Sequence, residues 1–167
     1  MEKTNFVEVN LKDWMEAVVF DADGRIKALH YGEDLITSDG KASVAALILN
    51  DVSEDDYDWI AIGSGSTAAS TGDVGLDAEH VRAAATGTQQ QTVVPDDTAQ
   101  FVYIFASGKP SGLYGDSTGT KAIVESGLFN AAAGPTMLCR QTFGALNIDW
   151  NGGDSLQITW KIQVGST

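Results

Sequence analysis

The segment Gly115-Asp116-Ser117-Thr118-Gly119 sets a serine in a small turn-forming loop, with His30 and His80 upstream and aspartates between. A nucleophilic serine needs a histidine in hydrogen-bond reach, a carboxylate to orient it and an oxyanion hole. Neither histidine stands in a recognisable partner motif. The chain, at 167 residues, is short for the double barrel that supports this order of residues. A Gly/Ser/Asp/Thr loop is therefore expected. Cys139 is the other nucleophile type, and only Arg140 is near it in sequence. A reactive thiol wants a base and an electropositive setting. Alternating with Met137, Gln141 and Phe143, Cys139 reads as a small core or interface residue. As the single cysteine it excludes an intrachain disulfide and a multi-cysteine metal cluster.

Gly63-Ser64-Gly65-Ser66-Thr67-Ala68 follows an apolar run and fits the loose pattern G-x-G-x-x-[GA]. A dinucleotide phosphate loop needs a helix to begin at once, with its N-terminus facing the pyrophosphate. Gly72 and Gly75 break any such helix, so a flexible inter-strand loop is expected. Asp21-Ala22-Asp23-Gly24 could open a calcium loop. The twelfth position is Gly32, however, with Glu33 one place late, and a hairpin turn is expected instead. Asp51, Glu54, Asp55, Asp56 and Asp58 form an acidic knot. Such carboxylates repel one another until a cation arrives, so these five are the weak candidates for Ca²⁺ or Mg²⁺. A solvated acidic loop is the plainer reading. No catalytic signature emerges, and a protein without catalytic or cofactor-binding residues is expected.

The charge count is 23 acids against 10 bases, a net charge of −13 with a pI near 4.2. Binding to nucleic acid phosphates or to an anionic membrane rests on clustered Lys and Arg, so neither partner is expected. Asp outnumbers Glu by 16 to 7, scattered apart from the knot. A surface of this kind keeps a protein hydrated and points to a high-salt origin. The hydrophobic content of 43% is too high for a disordered acidic tail. The opening Met-Glu-Lys-Thr-Asn has no basic segment followed by an apolar run, so no signal peptide is expected. No apolar stretch approaches the ~18–20 residues that span a bilayer.

Short segments separated by Gly, Ser, Thr and Asp predict a mainly β fold. Ser155–Val164 alternates strictly, with Leu156, Ile158, Trp160, Ile162 and Val164 on one face, as a half-buried strand requires. Further strands are expected at Asp58–Ile62, Gln100–Ala106, Lys121–Glu125 and Thr136–Phe143, with one or two more in Ala83–Val94. Turns are expected at Asn130–Pro135 and at Asn151-Gly152-Gly153. In the first fifty residues, Ala17–Phe20 and Arg25–Leu29 flank the hairpin signal Asp23-Gly24. The Ala/Leu-rich stretch Lys41–Asn50, with an N-cap candidate before it, predicts a helix, with a strand as the alternative because Val44, Ile48 and Leu49 also suit a sheet. Trp14, Trp59, Trp150 and Trp160 read as core or interface anchors.

Four strings, taken in order, carry a resemblance: Asp58-Trp-Ile-Ala-Ile-Gly-Ser-Gly-Ser-Thr-Ala68, Glu125-Ser-Gly-Leu-Phe-Asn-Ala131, Thr136-Met-Leu-Cys-Arg140 and Asp154-Ser-Leu-Gln-Ile-Thr-Trp-Lys-Ile-Gln-Val164. Together they resemble small β-sandwich structural proteins of tailed bacteriophages and tailed archaeal viruses, over roughly residues 57–165. Ser66 and Cys139 depart from the pattern, which has Thr and Ala there. The resemblance implies a virion protein without catalytic residues that decorates the capsid, forms its turrets or belongs to the tail.

The expectation is thus an antiparallel β-sandwich, jelly-roll-like or immunoglobulin-like, over residues 51–167. An N-terminal hairpin and helix segment, residues 1–50, is expected to dock on the particle. The function expected is that of a non-enzymatic virion structural protein of a tailed virus of a halophilic archaeon. It would sit on the capsid exterior as a homo-oligomer, trimer or pentamer, against the major capsid protein or other virion proteins. The alternative is a tail-associated host-adhesion or carbohydrate-binding module presenting Trp150 and Tyr114; a small hydrolase using Ser117 or Cys139 is a further rival.

Overall fold

The computed structural model describes residues 9–49, 55–106, 120–134 and 136–166. Their elements run β1 (Val9–Phe20), β2 (Ile26–Glu33), β3 (Leu35–Ile36), α1 (Ser38–Ile48), β4 (Trp59–Gly63), β5 (Glu79–Ala84), β6 (Thr86–Gln90), β7 (Thr98–Phe105), β8 (Lys121–Phe129), β9 (Met137–Ile148) and β10 (Ser155–Ser166). They form two five-stranded sheets, ordered β2-β1-β10-β7-β6 and β3-β9-β8-β4-β5. Every pairing is antiparallel. The fold is the antiparallel β-sandwich that the alternation predicts, with a hairpin and a helix near its start.

The core lies between the sheets. Leu156, Ile158, Trp160 and Ile162 of β10 point into it beside Met15, Ala17 and Val19 of β1. Ile60, Ile62, Ile123, Leu128 and Ile148 meet them from the second sheet. Fully burying a side chain of this size contributes about 1.5–3 kcal/mol, so a one-residue slip of β10 would expose the whole set. Val164 belongs to the same alternation but is exposed, because the pairing of β10 with β7 ends at Gln163.

The hairpin of β1 and β2 closes as the Asp-Gly signal predicts. Gly24 takes φ +78°, and Asp21 Oδ1 accepts from the amides of Asp23 and Arg25, at 2.9 Å each. The helix starts earlier than its apolar run. Thr37 caps it by accepting from the amide of Gly40 at 2.9 Å. A Cβ at Gly40 would lie 2.5 Å from the Leu138 carbonyl oxygen, so glycine lets α1 lie close on β9. The expected strand region Ala83–Val94 resolves into β5 and β6, which part at Ala85 where the chain leaves one sheet for the other.

One expectation needs correction. Over its described residues, the segment 1–50 is woven into the sandwich and does not form a unit apart from it. β1 pairs with β10 over twelve residues, Val9↔Ser166 to Phe20↔Ser155, and with β2 on its other side. Deleting residues 1–50 would strip the core of Met15, Ala17 and Val19 and leave β10 without its neighbour on that side.

Candidate functional site

The outer face of the second sheet carries a covered ionic centre. β-Bulges at Val124 and Leu138 set which residues face outward there. Leu138 is the extra residue that turns Met137 outward, against Phe129 and Ala61, while Cys139 points into the core. Alternation alone puts Met137 and Cys139 on one face; the bulge separates them. Glu125 and Arg140 lie on the outward side, and the loop from Ser64 to Ala78 folds over both. Glu125 is 0% exposed and Arg140 1%.

Every strong partner of Glu125 is fixed. Its Oε1 accepts from the amides of Gly65 and Ala78, both at 2.8 Å. Its Oε2 accepts from the Asp77 amide at 3.1 Å and from Arg140 Nε and Nη2 at 3.1 and 2.9 Å. Arg140 Nη1 donates to Asp73 Oδ2 at 2.7 Å, and Nη2 donates to the Thr67 carbonyl at 3.1 Å. Asp77 Oδ2 stands 3.3 Å from Nη2. Burial works against the guanidinium charge, but the bonds from Asp73 and Glu125 outweigh it and hold its pKa above the ordinary arginine value. The hydrogen bond from Thr67, with Arg140 nearby, holds the Asp77 carboxyl below the usual range.

This centre explains the glycines of the G-x-G loop. A Cβ on Gly63 would lie 2.5 Å from Glu125 Oε1, and one on Gly65 would lie 2.2 Å from Asp77 Cβ. The loop does what a phosphate loop does, bringing backbone amides onto an anion. The anion is the protein's own carboxylate. No helix follows the loop, in keeping with the reading of Gly72 and Gly75.

Ser126 ties the centre to the core. Its Oγ donates to the Ala61 carbonyl at 2.8 Å and accepts from Trp160 Nε1 at 3.3 Å. Arg82 closes the neighbouring turn, donating to the carbonyls of Ala131 and Gly134 at 2.9 and 3.3 Å. Its guanidinium lies 3.5 Å over the Phe129 ring.

The remaining sequence candidates are dispersed. Asp51 and Glu54 lie outside the described residues; Asp55 and Asp56 are exposed, and Asp58 is half-buried. Burial and the charge of Asp56 raise the Asp58 pKa. Asp116, Ser117 and Tyr114 also lie outside the described residues. His30, on β2, stacks on Phe143 with ring centroids 5.1 Å apart, whereas His80 is on β5 in the other sheet. Asp21 and Asp23 serve their own turn, the latter pairing with Arg25 at 2.6 Å, so the calcium-loop reading fails there. Trp150 is 6% exposed and part of the core, as its reading as a core anchor expects, so the adhesion alternative, which needs it exposed, loses that residue.

Sequence reasoning missed Glu125 and Arg140 as a pair. The available signal was a lone acid and a lone base, each inside an otherwise apolar strand. No family model matches the chain, and no curated protein and no solved structure matches it significantly.

Proposed function

We propose that the protein is a structural component of a tailed virus particle, assembling as a homo-oligomer on the capsid of a virus that infects a halophilic archaeon. One observation carries this reading. The four strings that resemble virion sandwich proteins are joined into one device by hydrogen bonds through Glu125 and Ser126. The first string supplies Gly65, Thr67 and Ala61; the second supplies Glu125 and Ser126; the third supplies Arg140; the fourth supplies Trp160. Their common order is then the order of a single physical unit, which fastens a long loop over a sheet. A fastened loop is a firm surface for contact with copies or partners.

Exposed apolar groups support assembly. Ile26, Leu29 and Tyr31 lie on the edge strand β2, the last 61% exposed, and Ile48 and Leu49 end α1 in the open. Uncovered edges of this kind are what symmetric contacts cover. The acidic surface suits a particle exterior in brine.

The test is mass spectrometry of purified particles from the source culture. The chain should be present at a repeated copy number relative to the major capsid protein. Absence from particles, with the chain found only free in the lysate, would overturn the proposal.

A further inference from the structure

We propose that Asp13, Asp34 and Cys139 form a binding site for a zinc-class divalent cation between the two sheets. One carboxylate oxygen from each aspartate and the Cys139 Sγ all lie within 4.8 Å of one another. The three come from β1, from the crossing between β2 and β3, and from β9, so the fold brings them together from both sheets. The inference does not depend on the virion reading.

Asp13 is out of place by pattern. It shares the inward face of β1 with Leu11, Met15, Ala17 and Val19 and is only 7% exposed. Among the described residues its Oδ2 has no hydrogen-bond partner, and neither does Asp34 Oδ2. Gln141, also 7% exposed, follows Cys139 by two residues on β9. Its Nε2 donates to the Glu33 carbonyl at 3.0 Å, but among the described residues its Oε1 has no partner. A buried polar atom left unpaired costs about 1–3 kcal/mol, and native folds keep few of them. Three such acceptors on elements that meet at one place call for something positive between them.

The donor set selects the cation. A sulfur ligand beside carboxylates suits zinc and disfavours calcium and magnesium, which take oxygen only. Zinc at about 2.0–2.3 Å from each ligand holds ligand atoms about 3.3–3.5 Å apart, so from separations within 4.8 Å the site closes by at most about 1.5 Å on binding. Asp13 and Asp34 also border an open cavity of ≈ 540 Å³, shared with Trp14, Tyr31, Glu33 and Thr92. That cavity gives an entry path and room for a water as fourth ligand. Burial pushes the Cys139 thiol up, with the charges of Asp34 and Asp13 adding to it, so the thiol stays protonated until metal displaces the proton to solvent. The other charges facing these groups are Glu33 and Lys41 toward Asp13, and Arg140 toward Asp34.

The full chain is loaded with Zn²⁺, dialysed against metal-free buffer at high salt, and its zinc measured by mass spectrometry. A parallel titration with Co²⁺ follows the near-ultraviolet thiolate-to-cobalt absorption. One equivalent of zinc per chain and a thiolate–cobalt band are expected. Cys139→Ser and Asp34→Asn should each weaken binding about tenfold or more, while the surface pair Asp55→Asn/Asp56→Asn leaves it unchanged. Circular dichroism checks that each variant is folded, and Asp34→Asn keeps the test open if Cys139→Ser is not. Folded wild-type protein that retains no zinc, or equal retention in the folded site variants, would overturn the proposal.

Discussion

Arg140→Ala should lower the unfolding free energy by about 3–5 kcal/mol, the range for breaking a buried ion pair by removing one partner. The guanidinium is 1% exposed and bonds Glu125, Asp73 and the Thr67 carbonyl at once. Without it Glu125 remains buried, held among the described residues by the amides of Gly65, Asp77 and Ala78. At about 2–4 °C per kcal/mol for a domain of this size, the melting temperature should fall by roughly 6–20 °C. Amide exchange should quicken in the loop from Ser64 to Ala78 more than in β1 or β10. The double variant Glu125→Met/Arg140→Met should lose less than the sum of the single losses, because no charge is then left unpaired. Denaturant midpoints for the three proteins check this. A loss under about 1 kcal/mol for Arg140→Ala would mean the loop is held by something else.

Asp34→Asn should stabilise the metal-free protein at pH 8 by at least about 2 kcal/mol and flatten its pH profile. Burial, with the neighbouring Asp13 charge, pushes the Asp34 carboxyl up to about 9. Burial, partly offset by a backbone hydrogen bond, brings Asp13 to about 6. The unfolded value is near 4, so between pH 4 and these values the folded state holds protons that the unfolded state has released. Stability therefore falls as pH rises, first through 6 and then towards 9. Asp97 acts in the opposite sense. It is buried in part, but the bonds from Gln163 and from the amides of Thr92, Val93 and Val94 hold its carboxyl well below the usual range. Its contribution is present above about pH 4 and is lost as acid protonates it. Melting curves from pH 5 to 9 with a chelator present check the first claim. A wild-type profile that rises across that range, or an Asp34→Asn variant less stable at pH 8, would contradict it.

The sandwich was legible wherever burial imposes period 2. β10 reads directly from Leu156 to Ile162 because its inner face meets the core and its outer face does not. The Asp23-Gly24 turn reads directly because φ > 0 at its glycine leaves few alternatives. The strand β9 could be found but not its faces, since the extra residue Leu138 leaves no mark in composition. The helix start was displaced because Thr37, not the apolar run, supplies the cap. Glu125 and Arg140 are fifteen residues apart and act on a loop that starts sixty residues earlier, so no local pattern joins them. Asp13 was visible as an acid at an inward position, but its partners Asp34 and Cys139 come together only through the crossing of the sheets.

Immunogold electron microscopy of purified virus particles from the source culture, with antibody raised against the recombinant chain, tests the central claim most directly. Label spread over the capsid is the predicted result. Label confined to the tail tip would replace the capsid role with the adhesion reading, and particles that carry no label at all while the free protein is stained would contradict the virion assignment itself.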